Sequence, residues 1–366
     1  MRNNHFFKTQ LLLAALAATL LIPVSAFAQQ KPAARTTAIK DSDIYVPDSV
    51  LEPTYTKKDA SEMLKECIDS IMQLTLSPQE RQIILVDDGS ETPALDGFDT
   101  DMRDQLLYLR QRNGGVSTAR NLGLQMAEGQ FVQFIDGDDL LLRPAYEHVL
   151  DLVRFGKTDV VMFSFTDRAD AKADTTRDEP AESGAELMRH SNIHGSVCGF
   201  IFRRSIVGSL RFTPGVAYGE DEEFTPRLLL RAEHVMRTNA VAYLYRQRPA
   251  SAINSTELRS RLTRLNDAKA VILRLHQQAA TLPAAERVAL QRRTAQLTMD
   301  YIYNVIILTR SRHYLDRRLG DLRKAGLFPL PDRDYTNKYK WFRRMTSTSL
   351  GLTVLMRTLP LLERER

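Results

Sequence analysis

Short apolar runs that stop at carboxylates or glycines alternate with helical spacing through the first half of the chain. Ile83-Ile84-Leu85-Val86 runs into Asp87-Asp88-Gly89-Ser90, residues 106–109 lead to Asn113-Gly114-Gly115, and Phe131-Val132-Gln133-Phe134-Ile135 runs into Asp136-Gly137-Asp138-Asp139. Short apolar runs bounded by turn residues predict strands in the interior of a sheet. Between them, Met63, Leu64, Cys67, Ile68, Ile71 and Met72 repeat with a helical period over residues 60–74. Residues 117–127 predict a helix with Ser117 as its N-cap and Gly129 after its end, and residues 143–154 predict another.

Further on, residues 159–165 and 197–202 predict strands, 185–191 and 222–231 helices, and 241–246 an edge strand. Residues 168–183 are rich in Asp, Ala and Thr without a large apolar side chain and predict a mobile excursion. Beyond Ser255 the strand signals end. Leu258, Leu262, Leu265, Ile272 and Leu275 mark one helix, and Pro283 opens another that runs toward Thr309. The fold class is therefore α/β followed by a mainly helical C-terminal region.

The N-terminus carries Arg2, His5 and Lys8, then an apolar run over residues 11–24, then Ala26-Phe27-Ala28. This is the layout of a secretory signal peptide, or of a short anchor. The expected organisation is a signal-like or anchor segment at 1–28, a linker at 29–49, an α/β domain at 50–255 and a helical region at 256–366.

Charge refines this picture. The 366-residue chain carries a net charge of +5, but residues 310–366 hold 14 Lys and Arg against 6 Asp and Glu, a surplus of eight. The remainder is therefore acidic, which excludes a basic, nucleic-acid-binding core and assigns an anionic surface partner to the tail. Lys338-Tyr339-Lys340-Trp341-Phe342-Arg343-Arg344 followed by the apolar stretch 350–362 predicts an interfacial membrane anchor. The two cysteines, Cys67 and Cys198, sit among apolar residues and predict buried free thiols.

Asp136, Asp138 and Asp139 fall at the C-terminal end of a predicted strand, where open α/β sheets bind ligands. Clustered carboxylates repel unless a proton or cation neutralises them. Hard oxygen ligands suit Mg²⁺ or Mn²⁺, and these in turn suit a diphosphate. A solvated acidic loop is the competing reading of that segment alone.

Taken in order, Val86-Asp87-Asp88-Gly89-Ser90, then Asn113-Gly114-Gly115-Val116-Ser117-Thr118-Ala119-Arg120-Asn121-Leu122-Gly123, then Phe134-Ile135-Asp136-Gly137-Asp138-Asp139, then Glu220-Asp221-Glu222-Glu223-Phe224, then Tyr243-Leu244-Tyr245-Arg246, resemble the family 2 glycosyltransferases. The resemblance spans residues 50–255. It implies a GT-A, Rossmann-like nucleotide-sugar-binding domain and an inverting transfer from a nucleotide diphosphate sugar, a UDP-sugar by preference. The acceptor implied is a hydroxyl of a glycan or lipid-linked molecule. By the same resemblance Asp138 and Asp136 hold the Mg²⁺ or Mn²⁺ ion, Asp87 and Asp88 bind the nucleoside, and Arg120 pairs with phosphate. Asp221 is the general base, and Tyr55 stacks on the nucleobase. The family's first strand falls at Val50-Leu51-Glu52-Pro53-Thr54-Tyr55-Thr56, where Thr56 stands in place of an Asn; a second match, Leu20-Leu21-Ile22-Pro23-Val24, lies inside the signal-like segment. Donor supply implies a cytoplasmic, membrane-associated catalytic domain, whereas the signal-like segment implies export or an anchor. Two other functions are compatible with the residues: an exported, inactive sugar-binding module of the same fold, and a metal-dependent nucleotidyltransferase.

Overall fold

The computed structural model describes residues 57–168, 175–246, 258–333 and 335–364. The signal-like segment, the linker and Tyr55 lie outside them. The described chain divides into two compact units, one built from 57–187 with 193–246 and the other from 188–192 with 258–364.

The first unit opens with helix α1 (Lys57–Met72), whose Leu64, Cys67 and Ile68 are buried as the periodicity predicts. Strand β1 (Ile83–Asp87) pairs in parallel with β2 (Leu106–Arg110), with Ile83 opposite Leu106 and Asp87 opposite Arg110. A 3₁₀ turn (Ala94–Gly97) and a short helix, α2 (Thr100–Arg103), lie between them. Helix α3 (Val116–Met126) follows, then β3 (Phe131–Gln133), β4 (Leu140–Leu141) and α4 (Arg143–Phe155). Strand β5 (Val160–Thr166), α5 (Gly184–His190), β6 (Phe200–Arg203), α6 (Arg204–Val207), α7 (Glu220–Leu229) and β7 (Val235–Leu244) complete the series. The last five strands form one mixed sheet in the order β3-β6-β5-β7-β4, in which only β5 and β7 run parallel.

Four local expectations are corrected. The strand expected at the sheet edge over 241–246 is the end of β7, which lies inside the sheet between β5 and β4. Of the strand expected over 197–202, Val197–Gly199 is a 3₁₀ turn, because the Val197 N–H is given to a carboxylate of Asp221 and the Gly199 N–H to the Ser196 carbonyl. The expected excursion 168–183 is tied down near its end, where Asp178 and Glu182 bridge to Thr238 and Val235 of β7. The N-cap of α3 is Gly115, at φ 84°, and not Ser117, which is buried in the first turn. That φ is open to glycine at little cost.

The second unit is helical. Helices α8 (Leu258–Ala280) and α9 (Ala284–Thr309) pack on each other, with Pro283 as the N-cap of α9, and α10 (Arg312–Lys324), α11 (Asn337–Thr346) and α12 (Ser349–Arg364) follow. Helix α9 is buried along most of its length. Thr294, Thr298 and Thr309 donate to carbonyls one turn back, and Asp300 accepts the Tyr339 hydroxyl at 2.8 Å. No described helix is long and apolar enough to cross a membrane.

Candidate active site

The site lies at the C-terminal ends of β1 and β3. Asp87 closes β1 with its carboxylate inside the following turn. It accepts the N–H groups of Ser90 (2.8 Å) and Ala94 (3.1 Å) and the hydroxyl of Tyr108 (2.7 Å). Burial alone would raise the Asp87 pKa, but these donors outweigh it and hold the carboxyl below its ordinary value. Asp88 accepts the Gly114 and Gly115 N–H groups at 2.9 and 2.8 Å and the Gln111 amide at 2.5 Å. It thereby fixes the glycine turn that starts α3. A Cβ on Gly114 would meet the Thr118 hydroxyl at 2.6 Å, so the turn requires glycine there as well.

After β3, Asp136 to Asp139 form a tight turn closed by the Asp139 N–H on the Asp136 carbonyl. Asp139 is an internal brace. Its carboxylate accepts the Tyr243 hydroxyl at 2.7 Å and the Arg246 N–H at 2.9 Å, while the Tyr243 oxygen accepts the Asp136 N–H at 3.1 Å. Tyr243 is therefore a site residue that the strand-end motif marks only as part of a Tyr-x-Tyr pattern. The buried thiol of Cys67 donates to the Asp136 carbonyl, and burial pushes that thiol far up. Both cysteines are free and buried, as expected.

Arg120 is the hub. It projects from α3 into the interior, 7% exposed. Its guanidinium lies 3.2 Å from Asp136 Oδ1, 3.0 Å from Glu220 Oε1 and 2.5 Å from Asp221 Oδ1. Phe134 and Phe212 flank it, with ring centroids 5.8 and 5.5 Å away. The next residue, Asn121, pins the Phe212 backbone by exchanging two hydrogen bonds of 2.9 Å with it. Glu220 and Asp221 open α7 behind Gly219, which adopts the left-handed conformation, and both side chains are buried. The second oxygen of Asp221 accepts the Val197 N–H at 3.2 Å.

One guanidinium thus faces three carboxylates in a dry setting. Burial is the largest cause of the raised proton affinity of these carboxylates and of neighbouring Asp139, and like-charge repulsion adds to it at Asp136, Asp139 and Glu220. Asp136 is pushed up to about 7, Asp139 to about 9 and Glu220 to about 8. Asp221 is raised as well, by burial, against the opposing pull of Arg120. The charge of Asp138 bears on both Asp136 and Asp139. A divalent cation would relieve the same repulsion that otherwise calls for protons, so the donor chemistry fits Mg²⁺ or Mn²⁺. Among the described residues no three His, Cys, Asp or Glu side chains are arranged as a ready-made metal cage. Mg²⁺ sites typically need only one or two carboxylates, with substrate phosphates completing the shell.

Residues 49–210 match the sequence profile described as Glycosyl transferase family 2. The chain carries a family 2 glycosyltransferase domain. It has the GT-A fold. Among relatives of the family 2 domain, the chain is 29% identical over 219 residues to the Bacillus subtilis protein named "Uncharacterized glycosyltransferase EpsJ", covering 56% of this chain and 62% of that one. It is 25% identical over 200 residues to the poly(ribitol-phosphate) beta-N-acetylglucosaminyltransferase TarP of Staphylococcus aureus, covering 51% of this chain and 58% of that one. The chain thus spans less than two thirds of each relative's length. A solved structure of S. aureus TarS residues 1–349 in complex with UDP-GlcNAc superposes with a TM-score of 0.56 at 17% identity, covering 84% of this chain and 89% of that one.

The structure brings Arg120, Asp136 and Asp221 together and places Asp138 in the same turn as Asp136. Asp87 and Asp88 sit at the end of β1, with their carboxylates held by the turns they organise. Sequence reasoning singled out Glu220 only as a neighbour of Asp221. The structure places it on the same guanidinium.

Proposed function

We propose that the chain transfers a sugar, with inversion, from a nucleotide diphosphate sugar to a hydroxyl of a glycan or lipid-linked acceptor in surface polysaccharide synthesis. The observation that carries this reading is the convergence of Asp136, Glu220 and Asp221 on Arg120 at the strand ends. Asp136 and the adjacent pair Glu220-Asp221 come from two segments far apart in sequence, and the fold gathers them where α/β sheets bind ligands.

In this reading Asp221 takes the acceptor proton. It is fixed from two sides, by Arg120 and by the Val197 N–H, so its orientation is set before the acceptor arrives. Asp138, with Asp136 beside it, would hold Mg²⁺ or Mn²⁺. The cation, when bound, neutralises the leaving diphosphate. Arg120 aligns the donor-side carboxylate and the base on one rigid group. Its direct contact with phosphate is not part of this assignment, because its nitrogens already face carboxylates. Asp87 and Asp88 shape the nucleoside end of the cleft through the turns they hold, and a UDP-sugar is the favoured donor. We assign the protein to a membrane surface on the side where nucleotide sugars are made, with the basic tail as the contact.

The test is turnover with Mn²⁺ and a panel of UDP- and GDP-sugars. Release of the nucleoside diphosphate with inverted configuration at the sugar is expected. Pyrophosphate release, or donor binding without any hydrolysis or transfer, would overturn the proposal.

A further inference from the structure

An aromatic wall stands beside Asp221, and the chemistry above does not use it. Strand β5 ends at Thr166, whose carbonyl accepts the Tyr245 N–H at 2.7 Å. The next residue, Arg246, gives its own N–H to Asp139. Phe165 therefore stands at the sheet end that holds the carboxylate turn. His194 lies on Phe200, the first residue of β6, with ring centroids 4.9 Å apart and planes 11° apart. Phe165 meets the same imidazole at 5.2 Å and 83°. Phe200 is buried and backs the other two rings, which are half-buried.

The backbone ties this wall to Asp221. The Val197 N–H that Asp221 accepts belongs to a residue three positions beyond His194, so the Cα atoms of His194 and Val197 are no more than about 11 Å apart. One position past Asp221, the half-buried Glu222 lays its carboxylate against Gly195, where a Cβ would run into it. Thr225, further along α7, donates its hydroxyl to the Gly195 carbonyl at 2.6 Å. Gly199 makes room for His194 in the same way, since a Cβ there would meet the imidazole Cε1 at 2.5 Å. Neither glycine has a positive φ, so what each supplies is space. The segment from His194 to Gly199 thus seats an aromatic ring and a carboxylate side by side, next to the residue read as the base.

We propose that Phe165, His194 and Glu222 form the acceptor subsite and that its occupant is a neutral pyranose. The assignment rests on the reading of Asp221 as the base, because the base decides which flank of the site receives the acceptor. A pyranose carries C–H groups on its faces and hydroxyls around its rim. Aromatic rings pack against the faces, and a carboxylate accepts hydrogen bonds from the rim. A phosphate at this place would face the Glu222 carboxylate and be repelled by it. The sugar is therefore added to another sugar and not to a polyol phosphate chain.

The test is ligand binding to the full chain in the presence of UDP and Mn²⁺. The probes are the methyl pyranosides of glucose, galactose and N-acetylglucosamine, set against glycerol phosphate and ribitol phosphate, with affinities read by saturation-transfer NMR. At least one pyranoside is expected to bind more tightly than either polyol phosphate. Phe165→Ala and Glu222→Gln are each expected to weaken that binding roughly tenfold, with UDP affinity by isothermal titration at the parent value. Gly195→Ala, which displaces the Glu222 carboxylate without altering it, should lose as much as Glu222→Gln. Unchanged pyranoside affinity in all three variants, no pyranoside binding by the parent, or tighter binding of a polyol phosphate would overturn the subsite. Failure of the transfer reading looks different. Pyranoside binding that the variants weaken, in a parent chain that turns over no donor, would overturn the acceptor role while the sugar contacts stand.

Discussion

Arg120 Nη1 lies 2.5 Å from Asp221 Oδ1, across 101 positions of sequence and in the interior of the domain. The same nitrogen meets Glu220, and the other terminal nitrogen meets Asp136. A single rigid cation therefore joins the end of β3 to the start of α7. An ammonium would not do the same, because a guanidinium offers several donors in fixed directions.

Removing that cation leaves buried carboxylates facing one another. Arg120→Met is expected to cost about 3–5 kcal/mol of stability, the usual penalty for breaking a buried charge pair from one side. Arg120→Lys should recover part of it. Urea unfolding at neutral pH measures both. A midpoint for Arg120→Met within error of the parent would show that the cluster is not held by this charge.

Glu220 makes stability depend on pH in a definite direction. Its carboxyl is pushed up from an ordinary 4.5 to about 8, first by burial and then by the charge of Asp221, with Arg120 opposing. The native state therefore keeps a proton that the unfolded chain releases. The associated stability is fully present below the ordinary value and is lost as pH rises through about 8. The expected slope from this group approaches about 1.4 kcal/mol per pH unit within that window. Glu220→Gln, which mimics the protonated form, should flatten the slope and be the more stable protein above pH 8. Chemical denaturation at intervals from pH 5 to 9 checks it, and an unchanged slope in Glu220→Gln would remove Glu220 as the cause.

Asp221→Asn should leave nucleotide-sugar affinity near the parent value and reduce turnover by roughly 10²-fold or more, since a base acts on the acceptor proton in the transition state. Isothermal titration with the donor, beside steady-state rates, separates the two effects. A collapse of donor affinity would make Asp221 a structural partner of Arg120 and nothing more. Glu220→Gln run in parallel identifies which of the two neighbouring acids carries the proton.

Asp138→Ala is expected to abolish transfer and the Mn²⁺-dependent part of nucleoside diphosphate binding. The carboxylate acts on neighbours whose proton affinity its charge already raises. Binding of the diphosphate, measured with and without Mn²⁺, is the readout. Equal Mn²⁺ enhancement in the variant and the parent would exclude Asp138 as a ligand.

The strand-end carboxylates were legible in the sequence because an apolar run and an acid cluster are both local signals. Asp136 and Asp138 could be named from nine consecutive residues. What Arg120 does was not legible. Its partners lie 16, 100 and 101 positions away, and no local pattern separates an inward arginine from a phosphate ligand or a surface ion pair. The N-cap of α3 was missed for a related reason. Ser117 has the right chemistry, but Asp88, 27 positions upstream of Gly115, fixes the turn and moves the helix start to a glycine. The interior place of β7 was hidden because a run of alternating residues reads as an edge strand when its second partner, β4, is only two residues long.

The tail keeps its outer face apolar. On α12, Leu352 and Leu355 are buried, whereas Leu350, Val354 and Leu361 are 77%, 37% and 60% exposed. On α11, Phe342 is buried and Trp341, the single tryptophan, is half-exposed beside Lys340 and Arg344. Spacings of four and seven residues put the exposed apolar side chains on one stripe of α12. A basic-aromatic helix next to an apolar stripe predicts binding to anionic lipid. Each nearby cation contributes about 1 kcal/mol that salt screens, while the apolar stripe contributes an energy that salt does not screen. Binding to acidic liposomes should therefore weaken with salt without vanishing. Trp341 emission should shift to shorter wavelength on binding. Leu350→Asp with Leu361→Asp should remove the salt-resistant part and leave the rest. Full salt-resistant flotation of that double variant would show that the stripe does not enter the membrane. An unshifted Trp341 spectrum with the parent chain would place α11 away from the lipid.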